Sequence, residues 1–419
     1  MFPSRRSEDD PLSTVKNVLS TEARDLVSGL NSLSAKLYSA GSNADENFIC
    51  GSTSFGAVLL MLLTGAQSST AEEIRNALGI KNSDLALSAF KEIIDNTRTG
   101  AVDFSLRNRF WTKSGYILRP EYLENLKLYL GGDTAEIDFS NAEEAAEIIN
   151  KWISIQTKGK IKKLIQSSMI EPLLRLIIVN TAYFCGRWEK EFDPLKTREE
   201  YFWTSPNDKK LVPTMKSTRY VAYAEIRNAK LIDLPFRRDT YEWVEEYSEE
   251  FDMQIEQPKL IPDGGSDFCL SLVLPSRTTK LKEMIKLDSF QSEVLNTQRR
   301  SLFANIRIPK FDLKRRANLT DFSSQLGLSE SMSVNADFSA ATDNPEGLLI
   351  GNIVHQATIK VDEVGAVAAA ATAGFAAGAG IPSEPELIKF NRPFLIYLRD
   401  TKTGLVHFIG HVTDPLENE

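Results

Sequence analysis

The chain is poor in the residues that build disulfide frameworks, metal centres and catalytic triads. Its 419 residues include three cysteines and three histidines, and no CxxC pair occurs. Cysteines this few and this scattered argue against a disulfide framework and against a thiolate metal site. The natural interpretation is a protein of a reducing compartment that binds no metal.

Common enzyme signatures are also absent. No GxSxG motif, phosphate-binding loop or dinucleotide glycine fingerprint is present,. A Ser/His/Asp site would have to use His355, His407 or His411,. His407 and His411 share one face of the predicted final strand, but without a nearby cysteine or an HExxH helix this spacing is weak evidence for a metal. We therefore expect no enzyme activity and no cofactor.

Charge and composition narrow the class of partner. The sequence carries 49 basic and 57 acidic residues, a net charge of −8, with 42% hydrophobic residues. An acidic balance disfavours nucleic acid as a partner of the whole chain. The composition is that of an ordinary globular protein, so proteins or small molecules are the expected partners.

No hydrophobic run is long enough to span a membrane. Residues 47–71 are uncharged, yet their strongly apolar part, 55–66, is about 12 residues long, against roughly 20 needed to cross a bilayer. We predict a buried helix there, with Ser54 as its cap. No apolar run follows the charged first ten residues, so no conventional export signal is expected,. The protein would then be cytoplasmic or secreted by a non-conventional route, or extracellular if a leader was removed.

Helical patterns dominate the first third of the chain and strand patterns dominate the rest, which favours an α+β fold. The predicted strands are rich in β-branched and aromatic residues, and they cover 176–184, 268–274, 302–308, 357–361, 393–398 and 405–412. Residues 239–256 hold eight acidic residues and no basic one. We interpret them as an amphipathic surface helix in a solvated insertion, with a partner-binding patch as the alternative.

One segment near the C-terminus is unusual in its small side chains. Residues 364–383 are uncharged, and 365–380 contain nine alanines and four glycines. Alanine and glycine gain little from entering lipid, so a membrane span is not expected. The 36 residues that follow are too few for an independent domain. The segment is therefore predicted to be a long loop within one domain.

Ordered motifs through the whole chain resemble those of the serpin family, from about residue 20 to residue 415. They are Asn47-Phe48-Ile49, Thr70-Ala71-Glu72-Glu73-Ile74, Asn150-Lys151-Trp152-Ile153, Val179-Asn180-Thr181-Ala182-Tyr183-Phe184, Gly186-Arg187-Trp188-Glu189, Ile308-Pro309-Lys310-Phe311, His355-Gln356-Ala357, Phe390-Asn391-Arg392-Pro393-Phe394 and Phe408-Ile409-Gly410. The chain departs from the family pattern at Gly51-Ser52-Thr53-Ser54, where the family usually has Ser-Pro before the serine.

The resemblance implies an architecture. It is α+β, the serpin fold: a single large domain with helices packed around three β-sheets and an exposed reactive-centre loop. The expected divisions are an N-terminal segment that need not be ordered (1–20) and a serpin domain (21–419), which contains an acidic insertion (239–266) and the hinge and reactive loop (363–385).

The resemblance also implies a mechanism, in which a protease cuts the loop and the severed hinge inserts into the main sheet. Small, uncharged side chains suit insertion between packed strands. The implied hinge residues are Glu363, Gly365, Ala366, Val367, Ala368, Ala369, Ala370, Ala371 and Thr372. By the family pattern, Ala366, Ala368, Ala370 and Thr372 turn inward, since alternate residues of a strand face opposite sides. Family spacing places the reactive bond at Ala379-Gly380, which suits an elastase-like protease. Phe375 is the chymotrypsin-like alternative.

Further residues are implied by position. Ser54, Asn180 and His355 match the polar cluster beneath the sheet, Trp188 matches the aromatic at its opening, and Lys310 is expected to pair with Glu363. The implied partner of a monomeric inhibitor is a target serine protease, held covalently. The alternative is a non-inhibitory serpin with a carrier, storage or chaperone role, which the absence of bulky or charged hinge residues disfavours. A hydrolase, suggested only by the uncharged stretches and the histidines, is a weaker third alternative.

Overall fold

The computed structural model describes residues 19–97, 102–157, 159, 161–171, 174–248, 253–277, 281, 284, 288–344, 347–366 and 384–417. Within those ranges no helix has both the length and the apolar character needed to cross a bilayer.

Helices fill the first part of the chain, as the sequence predicts. They are α1 (Thr21–Gly41), α2 (Ser52–Leu63), α3 (Ser68–Leu78), α4 (Ser83–Thr97), α5 (Pro120–Leu130) and α6 (Ala142–Gln156), and later α7 (Asp288–Asn296) and the short α8 (Ser323–Leu326). Leu26, Leu30, Leu33 and Leu37 recur at helical spacing and are buried in α1. Ser20 caps the helix by accepting a hydrogen bond from the N–H of Ala23 at 3.2 Å,. All twelve residues of α2 are buried, so the uncharged stretch is a core helix.

The strands are β1 (Phe48–Gly51), β2 (Val102–Lys113), β3 (Asp133–Ile137), β4 (Leu176–Arg187), β5 (Arg198–Trp203), β6 (Lys209–Ile226), β7 (Ala229–Ser248), β8 (Met253–Pro275), β9 (Arg300–Pro309), β10 (Phe311–Asn318), β11 (Ile350–Val361), β12 (Gly365–Ala366), β13 (Glu386–Lys389), β14 (Phe394–Asp400) and β15 (Val406–Val412). All six predicted strands lie within or closely overlap strands of this set.

The described strands form two β-sheets. One has the order β10-β11-β4-β2-β3, with β12 also on β4, and is called here the central sheet. The other runs β1-β15-β14-β8-β7-β6-β9-β13, with β5 on β6. The family resemblance implies three sheets, but the hydrogen bonding makes the second and third continuous. The reason is that β6 pairs with β5 and β9 and, at its C-terminal end, with β7. This long strand joins what would otherwise be the second and third sheets.

The central sheet is covered on both faces. Phe184, Ala357 and Ile359 pack into a core shared with the other sheet. Val179 and Val354 belong instead to the cluster that includes the buried isoleucines of α6. Alternate strand residues point to opposite faces, which explains why β4 and β11 read as nearly continuous apolar runs.

The acidic stretch is not the helix that its spacing predicts. Residues 239–248 continue β7 and pair antiparallel with 253–262 of β8, in register from Asp239 opposite Pro262 to Ser248 opposite Met253. Tyr241, Trp243, Val244 and Tyr247 have high strand propensity, and β8 offers a partner strand in line with them. The hairpin thus outweighs the helical spacing of the apolar residues.

Candidate functional site

The ladder between β4 and β11 stops short of the ends of both strands. The two strands pair in parallel from Ile350 opposite Leu176 to Thr358 opposite Tyr183. Beyond that point β11 continues to Val361 paired only with β10, among the described residues. The edge of β4 that faces β11 is consequently open beyond Tyr183. This opening is called here the sheet mouth.

The first two residues after the hinge turn already occupy the sheet mouth. Gly365 pairs antiparallel with Arg187, and Ala366 with Gly186. Gly186 also pairs with Val102 of β2, and a strand has only two edges, so β12 lies on the side of β4 that faces β11. The hinge therefore begins a new antiparallel strand between β4 and β11.

Close approach of two backbones requires glycine at position 365. Gly365 has φ +157°, and a Cβ on it would lie 2.1 Å from the carbonyl oxygen of Gly186. A contact that short cannot be relieved by a side-chain rotation because both partners are backbone. Only glycine allows β12 to reach β4 here.

Asp362 and Trp188 shape the turn that leads into β12. The Asp362 carboxylate accepts hydrogen bonds from the N–H groups of Val364 (3.1 Å) and Gly365 (3.3 Å). Trp188 donates its indole N–H to the Asp362 carbonyl and its backbone N–H to the Val364 carbonyl, both at 2.9 Å. The indole is buried and stacks on Phe236 with ring centroids 4.6 Å apart. Trp188 thus ties the end of β4 to the turn.

Glu363 anchors the same turn from the other side. Its carboxylate lies 2.8 Å from the Lys310 ammonium and accepts a 2.8 Å hydrogen bond from the Thr197 hydroxyl. Its backbone carbonyl accepts from the N–H of Phe192 at 2.8 Å. Burial alone would raise the pKa of this carboxyl, but the bonds from Lys310 and Thr197 outweigh it and lower the pKa,. Glu363 is therefore held as a carboxylate, in contact with the residue that the sequence pairs with it.

A polar cluster lies under the central sheet, and Asn180 of β4 is its centre. The Asn180 side-chain oxygen accepts from the Ser54 hydroxyl at 2.7 Å and from His355 Nδ1 at 2.5 Å. Its amide nitrogen donates to the Ser54 carbonyl at 3.0 Å and to the Asn108 side-chain oxygen. All of these residues are buried. The cluster ties α2, β2, β4 and β11 together at the level where β11 meets β4.

Ser54 serves this cluster and does not cap its helix. The N-cap of α2 is Gly51, which offers no side-chain bond, while the Ser54 hydroxyl points to Asn180. The expectation of a Ser54 cap was wrong because the amide on the adjoining strand is a buried acceptor that must be paired.

His355 is fixed as the neutral tautomer with its proton on Nδ1. Its Nε2 accepts from the N–H of Gly51 at 3.2 Å, so Nδ1 must carry the hydrogen that Asn180 accepts,. Burial lowers the pKa of His355 to about 4,. The imidazole is therefore uncharged at neutral pH. It acts as a hydrogen-bonded core group that joins β11 to β4.

The other two histidines lie apart from this cluster. His407 contacts the ring of Phe104 at 4.4 Å, and His411 Nδ1 is 2.6 Å from the Tyr38 hydroxyl. Both side chains are buried. The described parts of the chain contain no group of histidine, cysteine and carboxylate side chains suited to hold a metal.

Sequence reasoning missed two contributors to the site: Asn108 and Thr197. Asn108 lies between Arg107 and Arg109 in β2, and Thr197 lies in the segment before β5; neither position belongs to a motif. Several predicted positions, Val367, Ala368, Ala369, Ala370, Ala371, Thr372, Phe375, Ala379 and Gly380, lie outside the described residues.

The sequence and the fold agree with those of known proteins. The sequence model of the serpin (serine protease inhibitor) family matches residues 28–415, and the chain belongs to this family. A serpin-like protein of the archaeon Methanosarcina acetivorans is 32% identical over 94% of this chain and 88% of its own length. The human leukocyte elastase inhibitor is 28% identical over 89% of this chain and 94% of its own. Serpin48 of the insect Tenebrio molitor superposes with a TM-score of 0.80 at 25% identity, over 94% of this chain and 99% of its own.

Proposed function

We propose that this serpin is a suicide-substrate inhibitor of serine proteases, which traps its target by inserting the cut reactive loop into the sheet mouth. The observation that carries the proposal is the antiparallel pairing of Gly365 and Ala366 with β4. These residues are the first two of the alanine-rich segment, so the loop leads out of a strand that has already begun.

Strand directions favour further insertion. Because β4 and β11 are parallel to each other and β12 is antiparallel to β4, a lengthened β12 would be antiparallel to both. Insertion would replace one parallel ladder by two antiparallel ones, and parallel pairing is slightly the weaker kind per residue. Loop insertion of this type is a known case of strand addition in serpins.

Backbone pairing alone does not provide the driving force. Roughly ten added hydrogen bonds at about 0.5 to 1.5 kcal/mol each are offset by about 1 to 2 kcal/mol for each residue that becomes ordered. The remainder comes from the burial of alanine side chains and from relief of strain in the uncut fold. The uncut form is accordingly held by a kinetic barrier.

The preferred target is an elastase-like protease that cuts between Ala379 and Gly380. Alanine before the bond suits a small specificity pocket, and the human leukocyte elastase inhibitor is among the relatives. Cleavage after Phe375 would shorten the inserted strand by four residues, about 13 Å at roughly 3.3 Å each. A protease carried less far would be less distorted, which favours Ala379 as the reactive residue.

The test is incubation with elastase-like, chymotrypsin-like and trypsin-like proteases, followed by a denaturing gel and mass spectrometry of the released peptide. A complex that survives denaturation, with a peptide beginning at Gly380, is the expected result. Cleaved protein should also melt at a higher temperature than intact protein. Quantitative cleavage without any complex, and without a rise in melting temperature, would instead assign the chain to the non-inhibitory serpins.

A further inference from the structure

A cavity of about 310 Å³ lies between the segment that follows β4, the middle of β6 and the start of β9. Its walls include six charged residues: Glu189, Lys190, Arg219, Asp233, Arg299 and Arg300. The size is at the lower end of the range usual for small-molecule sites.

The walls carry more positive than negative charge. Lys190, Arg219, Arg299 and Arg300 face two carboxylates, those of Glu189 and Asp233. The chain as a whole has a net charge of −8, so the sign of this cavity is opposite to that of the protein. Like charges around a concave surface concentrate the potential and attract counter-ions.

Asp233 does not neutralise Lys190, Arg219 or Arg300, because its carboxylate is already paired with two other arginines. Its carboxylate lies 3.0 Å from Arg299 Nε and 2.6 Å from an Arg399 guanidinium nitrogen. It also accepts a 2.6 Å hydrogen bond from the Ser271 hydroxyl. This buried carboxylate is therefore saturated from within the protein.

Arg219 has a guanidinium with unused donors. One nitrogen donates to the backbone carbonyl of Lys190, and the group lies 4.4 Å from the centre of the Phe192 ring. Among the described residues no carboxylate lies within ion-pair distance of it. Burial lowers the pKa of Arg219 to about 10, with Glu189 acting in the opposite direction. A guanidinium has five N–H donors, so most of these can serve a ligand.

We propose that this cavity binds a small molecule with two or more anionic oxygen groups, of the polyphosphate or polycarboxylate kind. Arginine binds such groups through paired N–H donors. Arg219 supplies the free donors, and Arg300, which lies 4.9 Å from the Tyr223 ring, adds a second cation at the rim. Both cations lie on strands, β6 and β9, which hold them in fixed positions.

The site lies one contact away from the hinge, since Arg219 packs on Phe192 and the N–H of Phe192 binds the Glu363 carbonyl. The proposal does not depend on loop insertion, because the charges and the cavity exist in the uncut protein. Its failure and the failure of the proposed inhibition are therefore separate results.

The experiment is isothermal titration of the full chain with tripolyphosphate and with citrate, at constant ionic strength. We expect one saturable site for at least one of them, and the comparison shows whether phosphate or carboxylate oxygens are preferred. Arg219→Gln and Arg300→Gln should each weaken binding at least tenfold. The control is Arg107→Gln, which removes an exposed guanidinium that also donates to a backbone carbonyl, that of Leu106 at 3.0 Å, but outside this cavity.

Two results would overturn the proposal. The first is the absence of saturable binding of both anions by the wild type. The second is binding that Arg219→Gln and Arg300→Gln leave unchanged, or that Arg107→Gln weakens equally, since the anion would then bind elsewhere. Arg300 is exposed, so its variant remains informative even if Arg219→Gln disturbs the packing on Phe192.

Discussion

Lys310 lies 2.8 Å from Glu363 and so connects the residue after β9 to the turn between β11 and β12. The carboxylate side chain is nearly buried, at 11% exposure, while the lysine is 37% exposed. The charge of Glu363 is therefore largely shielded from solvent by the turn. Its partner Lys310 is more exposed, so it can be replaced without disturbing the core.

Lys310→Met should lower the free energy of unfolding of the uncut protein at neutral pH by about 1 kcal/mol, since solvent screens the partly exposed lysine. Its thermal midpoint should fall accordingly. Because the folded pKa of Glu363 is lowered, this stability is present above the ordinary carboxyl pKa and is lost as the pH falls through the folded pKa. The difference between variant and wild type should accordingly shrink on acidification. Melting curves from pH 7.5 to pH 3 measure it.

The matched control is Lys314→Met. It breaks an ion pair of the same 2.8 Å length, with Asp312 of β10, that does not include a residue of the turn between β11 and β12. If both variants lowered the melting temperature equally at every pH, no special role would remain for the pair at Glu363.

Acidification should destabilise the uncut protein between pH 6.5 and pH 4. The folded pKa of His355 is about 4 and its unfolded pKa about 6.5, so the unfolded chain binds the proton first. From pH 7.5 to pH 5 this histidine alone should cost about 2 kcal/mol by linkage. His355→Gln should reduce the loss of unfolding free energy between pH 7.5 and pH 5, measured by urea denaturation, by that amount. Part of the pH dependence should remain in this variant, because the pKa values of buried His407 and His411 are lowered too. A variant with the full wild-type pH dependence would contradict the assignment of a neutral His355.

Asn180→Ala should destabilise the uncut form on the order of 3 kcal/mol or more, since it leaves the Ser54 hydroxyl, His355 Nδ1 and Asn108 buried without their partner, at about 1 to 3 kcal/mol each. Denaturant unfolding measures this loss. Thr358→Val is the contrast: the Thr358 hydroxyl is buried and has no hydrogen-bond partner among the described residues. Its removal should be neutral or stabilising, and equal losses from both variants would contradict the importance of the cluster.

Ala368→Arg should convert the protein from inhibitor to substrate, because an arginine on the inward face of an inserted strand would be buried unpaired. Ala368→Val is the matched control, since it enlarges the same inward position without burying a charge. The ratio of stable complex to cleaved product on a denaturing gel gives the result. Wild-type stoichiometry in Ala368→Arg would refute insertion of this face into the sheet.

The sequence predicts best where one local signal dominates. The leucines of α1 and the uncharged run of α2 give helices because nothing else competes for those faces. Residues 239–248 form a strand despite their helical spacing because β8 provides a partner, and no local pattern reveals where that partner lies. The joining of two sheets through β6 depends on pairing in the same way.

The site residues also divide into those that the sequence revealed and those that it did not. Family resemblance led to Ser54, Asn180, His355, Trp188, Lys310 and Glu363, and these fall into two contact groups, one under the central sheet and one at its mouth. Asn108 and Thr197 were not found, since each contributes a single hydrogen bond from a chain segment with no motif. The pairing of Gly365 with Arg187 required the three-dimensional register.

Counted from the sheet mouth, Thr358–Tyr183 is the first pair of the parallel ladder and His355–Asn180 is the fourth. A growing β12 must separate these pairs in that order, one residue step at a time. The early steps break backbone bonds alone, and the fourth must also break the His355–Asn180 side-chain bond. Lengthening of β12 past the fourth pair would therefore cost more than the earlier steps, since a buried side-chain bond is lost along with the backbone bonds.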